Sequence, residues 1–273
     1  MAAVGQATPH TVRRTGAGDG TVVLEQELRD LWLGGRGLVL CFAFSLLLSL
    51  IAYLVATNTA LNFLEQRESV NLVLQVAIAV GALLTLIAAA DAVSGERERG
   101  TLETLLLTPA PRRSVATGKL LGALSLWPAA FAITMPYVWF LGRGVGIVGD
   151  ALTVGIVVGT LLAVFLGSVG LLVSVLAGSN RVSLSVSLLV LLATFAPTQL
   201  PSSATHGWAG ELLLRLNPLT AGEHYVGKVV VDAHPWSQDV SWLVSPLIAA
   251  VVFAVAVPVL GARLIRLRGG LSG

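Results

Sequence analysis

The charged residues with the most informative spacing in this chain form one short run. Glu96–Arg99 alternate in charge, and Leu102, Leu105 and Leu106 follow at helical spacing. Residues three and four apart lie on one face of a helix, and Pro109 would end that helix because proline has no N–H to donate. The pattern predicts a short amphipathic helix with a charged approach. Such a helix can lie on a lipid surface or dock into a groove of a partner protein, and the pattern leaves both open.

Histidines and carboxylates toward the C-terminus are the only residues that suggest metal chemistry. His206, His224 and His234 lie near Glu223 and Asp239. Zinc sites usually have their ligands at short, regular spacings, and no such spacing is present. A metal site is conceivable there, but the sequence predicts none.

Phosphate chemistry would require a glycine-rich loop of the form G-x-x-x-x-G-K-[ST]. Gly118 and Lys119 are followed by Leu120, and Arg113 stands where the first glycine should be. We therefore expect no catalytic residue and no cofactor-binding residue in this chain. Lys119 is interpreted as an anchor at the inner face of a membrane.

The run SGERERGTLETLLLTPAPR, residues 94–112, resembles the inner-loop motif of ABC-2 type transporter permeases, the membrane subunits of a class of ATP-binding-cassette exporters. The stretch NPLTAGEHYVGKVVVD, residues 217–232, is also similar to members of that family. The resemblance implies that the inner loop is a coupling helix, which docks on a cytoplasmic ATPase subunit and transmits its closure. It also implies a second copy of the chain and export as the direction. ATP and magnesium would bind in the partner ATPase. The implied coupling residues are Glu96, Arg97, Glu98, Arg99, Gly100, Thr101, Glu103 and Thr104.

The composition indicates that a bundle of membrane helices positions this loop. Of the 273 residues, 55% are hydrophobic and 12% are charged, and the mean hydropathy is +0.84. Soluble domains carry about 25% charged residues, and a spanning helix needs roughly 20 apolar residues. The sequence predicts an all-α polytopic membrane protein, in contact with membrane lipid, with six transmembrane helices. The predicted spans are about 37–57, 71–91, 120–141, 147–177, 182–200 and 240–260.

Segments that flank the spans divide the chain further. We predict a disordered cytoplasmic tail at 1–20, a permease domain at 21–262 and a basic cytoplasmic tail at 263–273. Apolar residues between 20 and 35 approximate helical spacing, which suits an N-terminal amphipathic helix on the inner membrane face. A cytoplasmic extension of the first span is the alternative.

Most of the 17 Lys and Arg residues lie on segments that are inside if the N-terminus is inside. Because positive residues favour the cytoplasmic side, we predict a multi-pass protein of the plasma membrane with both termini in the cytoplasm. The basic residues cluster beside spans, so the net charge of +2 does not indicate nucleic-acid binding.

Two further patterns leave alternatives open. The connection at 201–239 contains an apolar patch from Trp208 to Pro218, either an interfacial helix or part of a structured external cap. Gly155 and Gly159 form G-x-x-x-G, which lets helices approach closely within one chain or between subunits.

Two functions other than an ATP-driven exporter remain possible from the sequence. An ion-gradient-driven secondary transporter is disfavoured because the spans carry almost no ionisable groups. A non-transporting membrane assembly subunit is the other alternative. The substrate is not indicated.

Overall fold

The computed structural model describes residues 17–57, 63–101, 111–199 and 207–261. These ranges contain helices joined by short turns and no strand. The α-helices are α1 (Ala17–Trp32), α2 (Arg36–Ala56), α3 (Phe63–Arg99), α4 (Arg112–Leu124), α5 (Leu126–Gly142), α6 (Val148–Leu176), α7 (Asn180–Phe195), α8 (Trp208–Leu216), α9 (Pro218–Val230) and α10 (Val244–Ala256).

Six helical segments of the described chain are long and apolar enough to cross a membrane, which confirms the predicted number of spans. The third span contains both α4 and α5, and the last includes the short turns on either side of α10. The segments are 36–56, 66–99, 112–142, 148–176, 180–198 and 240–261. The helix α1 precedes them and begins at Ala17, inside the segment predicted as a tail.

The third span is interrupted at Ser125, between α4 and α5. Pro128 lies four residues after Leu124 and has no N–H to donate to the Leu124 carbonyl, so the helical ladder is broken there. The Ser125 hydroxyl donates to the Gly122 carbonyl at 2.7 Å and accepts from Trp32 Nε1 at 3.0 Å. The interruption is therefore also the point where α1 is attached to the third span.

The centre of the bundle is the packing of α3 against α6, with α5 alongside. The indole ring of Trp127 fills a notch made by two glycines. A Cβ added at Gly81 would lie 2.8 Å from that ring, and one added at Gly159 would overlap it. A Cβ at Gly155 would lie 2.6 Å from Leu74. The G-x-x-x-G pair is thus used for packing within the chain.

The helices α8 and α9 follow one another across Asn217, and we call this pair the hairpin. The helix α9 lies beside the spans, because a Cβ added at its Gly222 would lie 2.9 Å from Val158 of α6. Asn217 separates α8 from α9: its Oδ1 accepts from the N–H groups of Leu219 and Thr220, and its Nδ2 donates to the Thr194 carbonyl at 2.7 Å. Pro218, the end of the apolar patch noted in the sequence, occupies the first turn of α9, where its fixed φ is favourable. Leu219 and Val226 are buried against the bundle. The described part of this connection therefore contains two helices, of which α9 packs against the bundle.

Different helices lie at the two ends of the bundle, which we call the terminal end and the hairpin end. At the terminal end are α1, the last turns of α3, the starts of α4 and α7, and Gly261, whose added Cβ would lie 3.3 Å from Ala116. At the hairpin end are α8, α9 and the 3-10 turn at Ala196–Gln199.

Candidate functional site

The last two turns of α3 lie at the terminal end and contain four of the eight predicted coupling residues, Glu96–Arg99. Gly100 has a φ of 72°, the left-handed conformation that favours glycine. Its N–H donates to the Arg97 carbonyl at 3.3 Å, and the Thr101 N–H donates to the Glu96 carbonyl at 3.1 Å. These two bonds form a Schellman motif. Gly100 therefore has a local role, which is to end α3 and turn the chain toward the loop.

Glu96 takes part in a buried charge cluster. Lys119 Nζ donates to Glu96 Oε1 at 2.6 Å and to Glu27 Oε1 at 2.5 Å, and the Lys119 side chain is fully buried. Burial raises the pKa of the Glu27 carboxyl, although the Lys119 ammonium acts in the opposite direction. The cluster joins α1, α3 and α4, and we call it the Lys119 cluster.

The sequence predicted that Lys119 anchors the chain at the membrane face, and this prediction is wrong because the Lys119 side chain is buried. An anchoring lysine would extend its ammonium to water or lipid headgroups, whereas this ammonium lies between two carboxylates inside the chain. A buried ammonium requires such partners, because an unpaired one costs several kcal/mol. The second oxygen of Glu96 is buried and has no hydrogen-bond partner in the described part of the chain.

Arg97 attaches α3 to the end of α6. Its guanidinium donates to the Ala177 carbonyl and, at 3.3 Å, to the Val175 carbonyl. The last carbonyls of a helix lack intrahelical partners and carry partial negative charge. Arg97 thus donates hydrogen bonds to the carboxyl end of α6 and places a positive charge there.

Glu98 and Asp91 attach α3 to the start of α7. Glu98 Oε1 accepts from the Asn180 backbone N–H at 2.8 Å, and Asp91 Oδ1 accepts from Asn180 Nδ2 at 2.7 Å. Asp91 also pairs with Arg36 at 2.9 Å and with Arg99 at 3.5 Å. Asp91, which lies at the inner end of the second predicted span, is therefore a meeting point for three helices.

Together, residues 96–98 join α3 to α4, α6 and α7, whereas Arg99 pairs with Asp91 within α3. Thr101 is exposed, as are Glu98 and Arg99 in part of their surfaces. Glu103, Thr104 and the predicted coupling helix lie outside the described residues. The described arrangement is a set of ion pairs and hydrogen bonds between helices.

A cavity of about 1190 Å³ separates α1 from α2 and α3 beside this cluster. Glu27, Arg36 and Lys119 lie on its polar side, and Val39 and Ile87 are among its apolar residues.

The described residues contain no group of three or more side chains able to hold a metal ion. The His224 ring stacks on Trp242 with the ring centres 4.0 Å apart, and His234 Nδ1 lies 2.8 Å from Asp239 Oδ2. His206 is outside the described residues.

Sequence reasoning missed Glu27 and Asn180 as parts of the site. Glu27 belongs to the polar face of α1, where a carboxylate would ordinarily face water. One signal was available for Glu27: Lys119 lies in an otherwise apolar stretch next to a span, and a lysine in that setting needs an acidic partner. Asn180 is distant in sequence from α3, and only the packing of α7 beside α3 brings them together.

Six membrane-spanning helices with a charged cluster at one end define a multi-pass helical membrane protein. The family model described as ABC-2 family transporter protein matches residues 21–264. The chain belongs to this family, and it is a permease subunit of a membrane transporter. A comparison with the curated proteins finds no match. Members of the family are generally not catalytic themselves and normally work with an ATP-binding-cassette ATPase.

Proposed function

We propose that this chain is the membrane permease of an ATP-binding-cassette exporter and that a separate cytoplasmic ATPase drives it. The observation that carries the proposal is the charged end of α3, which is bonded to three other helices at the terminal end, α4, α6 and α7. An ATPase that moved the loop after Thr101 would act on all of them at once. A second copy of the chain would complete the permease, and ATP and magnesium would bind in the ATPase.

The length of α3 supports a role in transmission. It has 37 residues, which corresponds to about 55 Å at 1.5 Å per residue, whereas the hydrocarbon core of a bilayer is about 30 Å thick. The helix therefore crosses the membrane with several turns to spare. A displacement at Arg99 is carried by a continuous helix into the contact of α3 with α6 at the centre of the bundle.

The proposal assigns different roles within the predicted coupling set. Glu96, Arg97 and Glu98 transmit, because their side chains hold other helices of this chain. Thr101, Glu103 and Thr104 contact the ATPase, together with the exposed parts of Arg99 and Gly100. The proposal places the terminal end in the cytoplasm and the hairpin end on the outer side of the plasma membrane.

The test is co-purification of the ATPase in mild detergent from the native host, followed by mass spectrometry. In one variant, residues 102–108 are replaced by a Gly/Ser linker of equal length, which leaves the bonded residues 96–101 intact. A control variant carries a Gly/Ser linker at residues 58–62, in the connection between α2 and α3. We expect a stoichiometric ATPase with the wild-type chain and the control, and its loss with the first variant.

Two results would contradict the proposal. If the wild-type chain elutes without an ATPase while other membrane complexes of the same extract stay intact, an ATP-driven function is excluded under those conditions. If the 102–108 variant retains the ATPase as well as the control does, the contact lies elsewhere on the chain.

A further inference from the structure

A second cavity lies at the hairpin end, on the opposite side of the bundle from the Lys119 cluster. It has a volume of about 490 Å³ and lies between α9, the outer turns of α3 and the 3-10 turn after α7. Ligand pockets typically measure about 300–1,000 Å³. Apolar side chains such as Leu214 and Val231 form part of its wall, so the cavity has room and apolar surface for a small organic molecule.

Two polar side chains of α9 line this cavity without a partner in the described chain. Thr220 is 8% exposed, and its hydroxyl oxygen has no hydrogen-bond partner there. Glu223 lies three residues later on the same face, mostly buried, and burial raises the pKa of its carboxyl to about 7. Buried polar groups are normally hydrogen-bonded. The unpaired Thr220 hydroxyl and the Glu223 carboxyl line the same cavity, so a ligand that donates hydrogen bonds would satisfy both groups.

The other charged groups of the cavity are paired with each other or neutral, so Glu223 determines the net charge of the cavity. Lys228 and Asp232 pair with each other at 2.8 Å. The pKa of His224 is lowered, first by burial and then by Lys228, so the ring is neutral at pH 7. From the other elements come the uncharged Gln75 of α3, Thr198 of the turn and Leu214 of α8. With Glu223 ionised, the cavity carries one net negative charge.

We propose that this cavity binds a small organic ammonium compound, with Glu223 as the counter-charge and Thr220 as a further acceptor for the ammonium N–H groups. Gln75 adds an amide oxygen, because its Nε2 already donates to Asn71 Oδ1 at 3.4 Å. The apolar wall takes the organic part of the ligand. Binding at this site does not require the ATPase. The binding experiment and the co-purification experiment can therefore fail independently of each other.

The test uses the full chain in lipid nanodiscs and benzylamine as the probe, with its neutral isostere benzyl alcohol as the comparison. Binding is measured by saturation-transfer NMR titration at about pH 6 and about pH 8, with empty nanodiscs subtracted. Glu223 with a pKa of about 7 is roughly 10% ionised at the lower pH and 90% at the higher, since each pH unit changes the ratio tenfold. We expect benzylamine to bind about ninefold more tightly at the higher pH, and benzyl alcohol to show no such change.

The variant Glu223→Gln should remove the pH dependence and bind benzylamine at least about tenfold more weakly than the wild type at the higher pH. Its control is Glu211→Gln, on the exposed face of α8, which should behave as the wild type. Thr220→Val tests the second acceptor independently and should weaken binding severalfold. Equal affinity for the amine and the alcohol, pH dependence that persists in Glu223→Gln, or unchanged binding in Thr220→Val would each overturn the proposal.

Discussion

At the scale of single residues, Lys119 has the largest structural consequence among the charged side chains described. Its ammonium is fully buried and lies within 2.6 Å of two carboxylate oxygens from different helices. Removing one partner of a buried ion pair leaves an uncompensated charge, which costs about 3–5 kcal/mol, whereas an exposed pair contributes about 0–1 kcal/mol. The cluster should therefore respond to substitution very differently from a surface pair.

We predict that Lys119→Met lowers the thermal unfolding temperature of the detergent-purified protein substantially, because Glu27 and Glu96 lose their shared partner. Tryptophan fluorescence during heating measures this. The control is Arg29→Met, which breaks the exposed Arg29–Glu25 pair on α1 and should leave the temperature nearly unchanged. Equal unfolding temperatures for the two variants would show that the Lys119 cluster adds no stability.

At the scale of elements, α3, α5 and α6 can approach closely because glycines, which have no side chain, lie where they meet. The Trp127 ring lies where side chains at Gly81 and Gly159 would be. Interiors are packed too densely to absorb such a change, so a larger residue must displace the ring or separate the helices. Gly149, near the start of the same helix α6, has no neighbouring atom within 4 Å of an added Cβ.

We predict that Gly159→Leu reduces the yield of monodisperse protein and its unfolding temperature, while Gly149→Leu leaves both near the wild-type values. Overpacking of a core costs typically about 1–3 kcal/mol, and both substitutions add the same side chain to the same helix. Size-exclusion chromatography and thermal unfolding measure the two quantities. Tolerance of leucine at 159 would mean that Trp127 can leave its notch at little cost.

The number of spans was predictable because each one carries enough apolar residues to cross a bilayer. The helices themselves extend further than hydropathy indicates: α3 runs from Phe63 to Arg99, although its apolar part covers only 71–91. Hydropathy reports the hydrocarbon region alone, whereas a helix continues until a residue such as Gly100 ends it. The start of α9 at Pro218 was missed because the same proline is compatible with stopping one helix and starting the next.

The candidate site was predictable as a segment and only partly as a set of contacts. The alternation of charge at 96–99 predicted a charged approach to the next helix, and α3 ends at Arg99. The partners Lys119, Ala177 and Asn180 were not predictable, because they lie 23 to 82 positions away from the residues among 96–98 that they contact. Only the arrangement of α4, α6 and α7 around α3 brings them into reach.

At the scale of the whole molecule, the described ends of the chain lie together at the terminal end of the bundle, which agrees with an even number of spans. The distribution of Lys and Arg predicts that this end faces the cytoplasm. The hairpin end would then face outward, with Trp236 exposed there. This orientation decides which of the two cavities an external ligand can reach.

Cysteine labelling tests the orientation in intact cells. In a Cys41→Ser background, we predict that a membrane-impermeant maleimide labels Trp236→Cys and does not label Thr101→Cys until the membrane is permeabilised. Both positions are exposed on the chain, so access is decided by the side of the membrane. The reverse labelling pattern would invert the topology and place the end of α3 outside.

The Schellman end of α3 also bears on how such a protein could be re-engineered. Gly100 fixes where α3 stops, and Pro111, with its extended ψ of 135°, precedes the first turn of α4. Among the described residues, the contacts that hold the terminal end together are made by residues up to Arg99 and from Arg112 onward. We predict that exchanging residues 102–110 for the corresponding stretch of another permease changes which ATPase co-purifies with the chain.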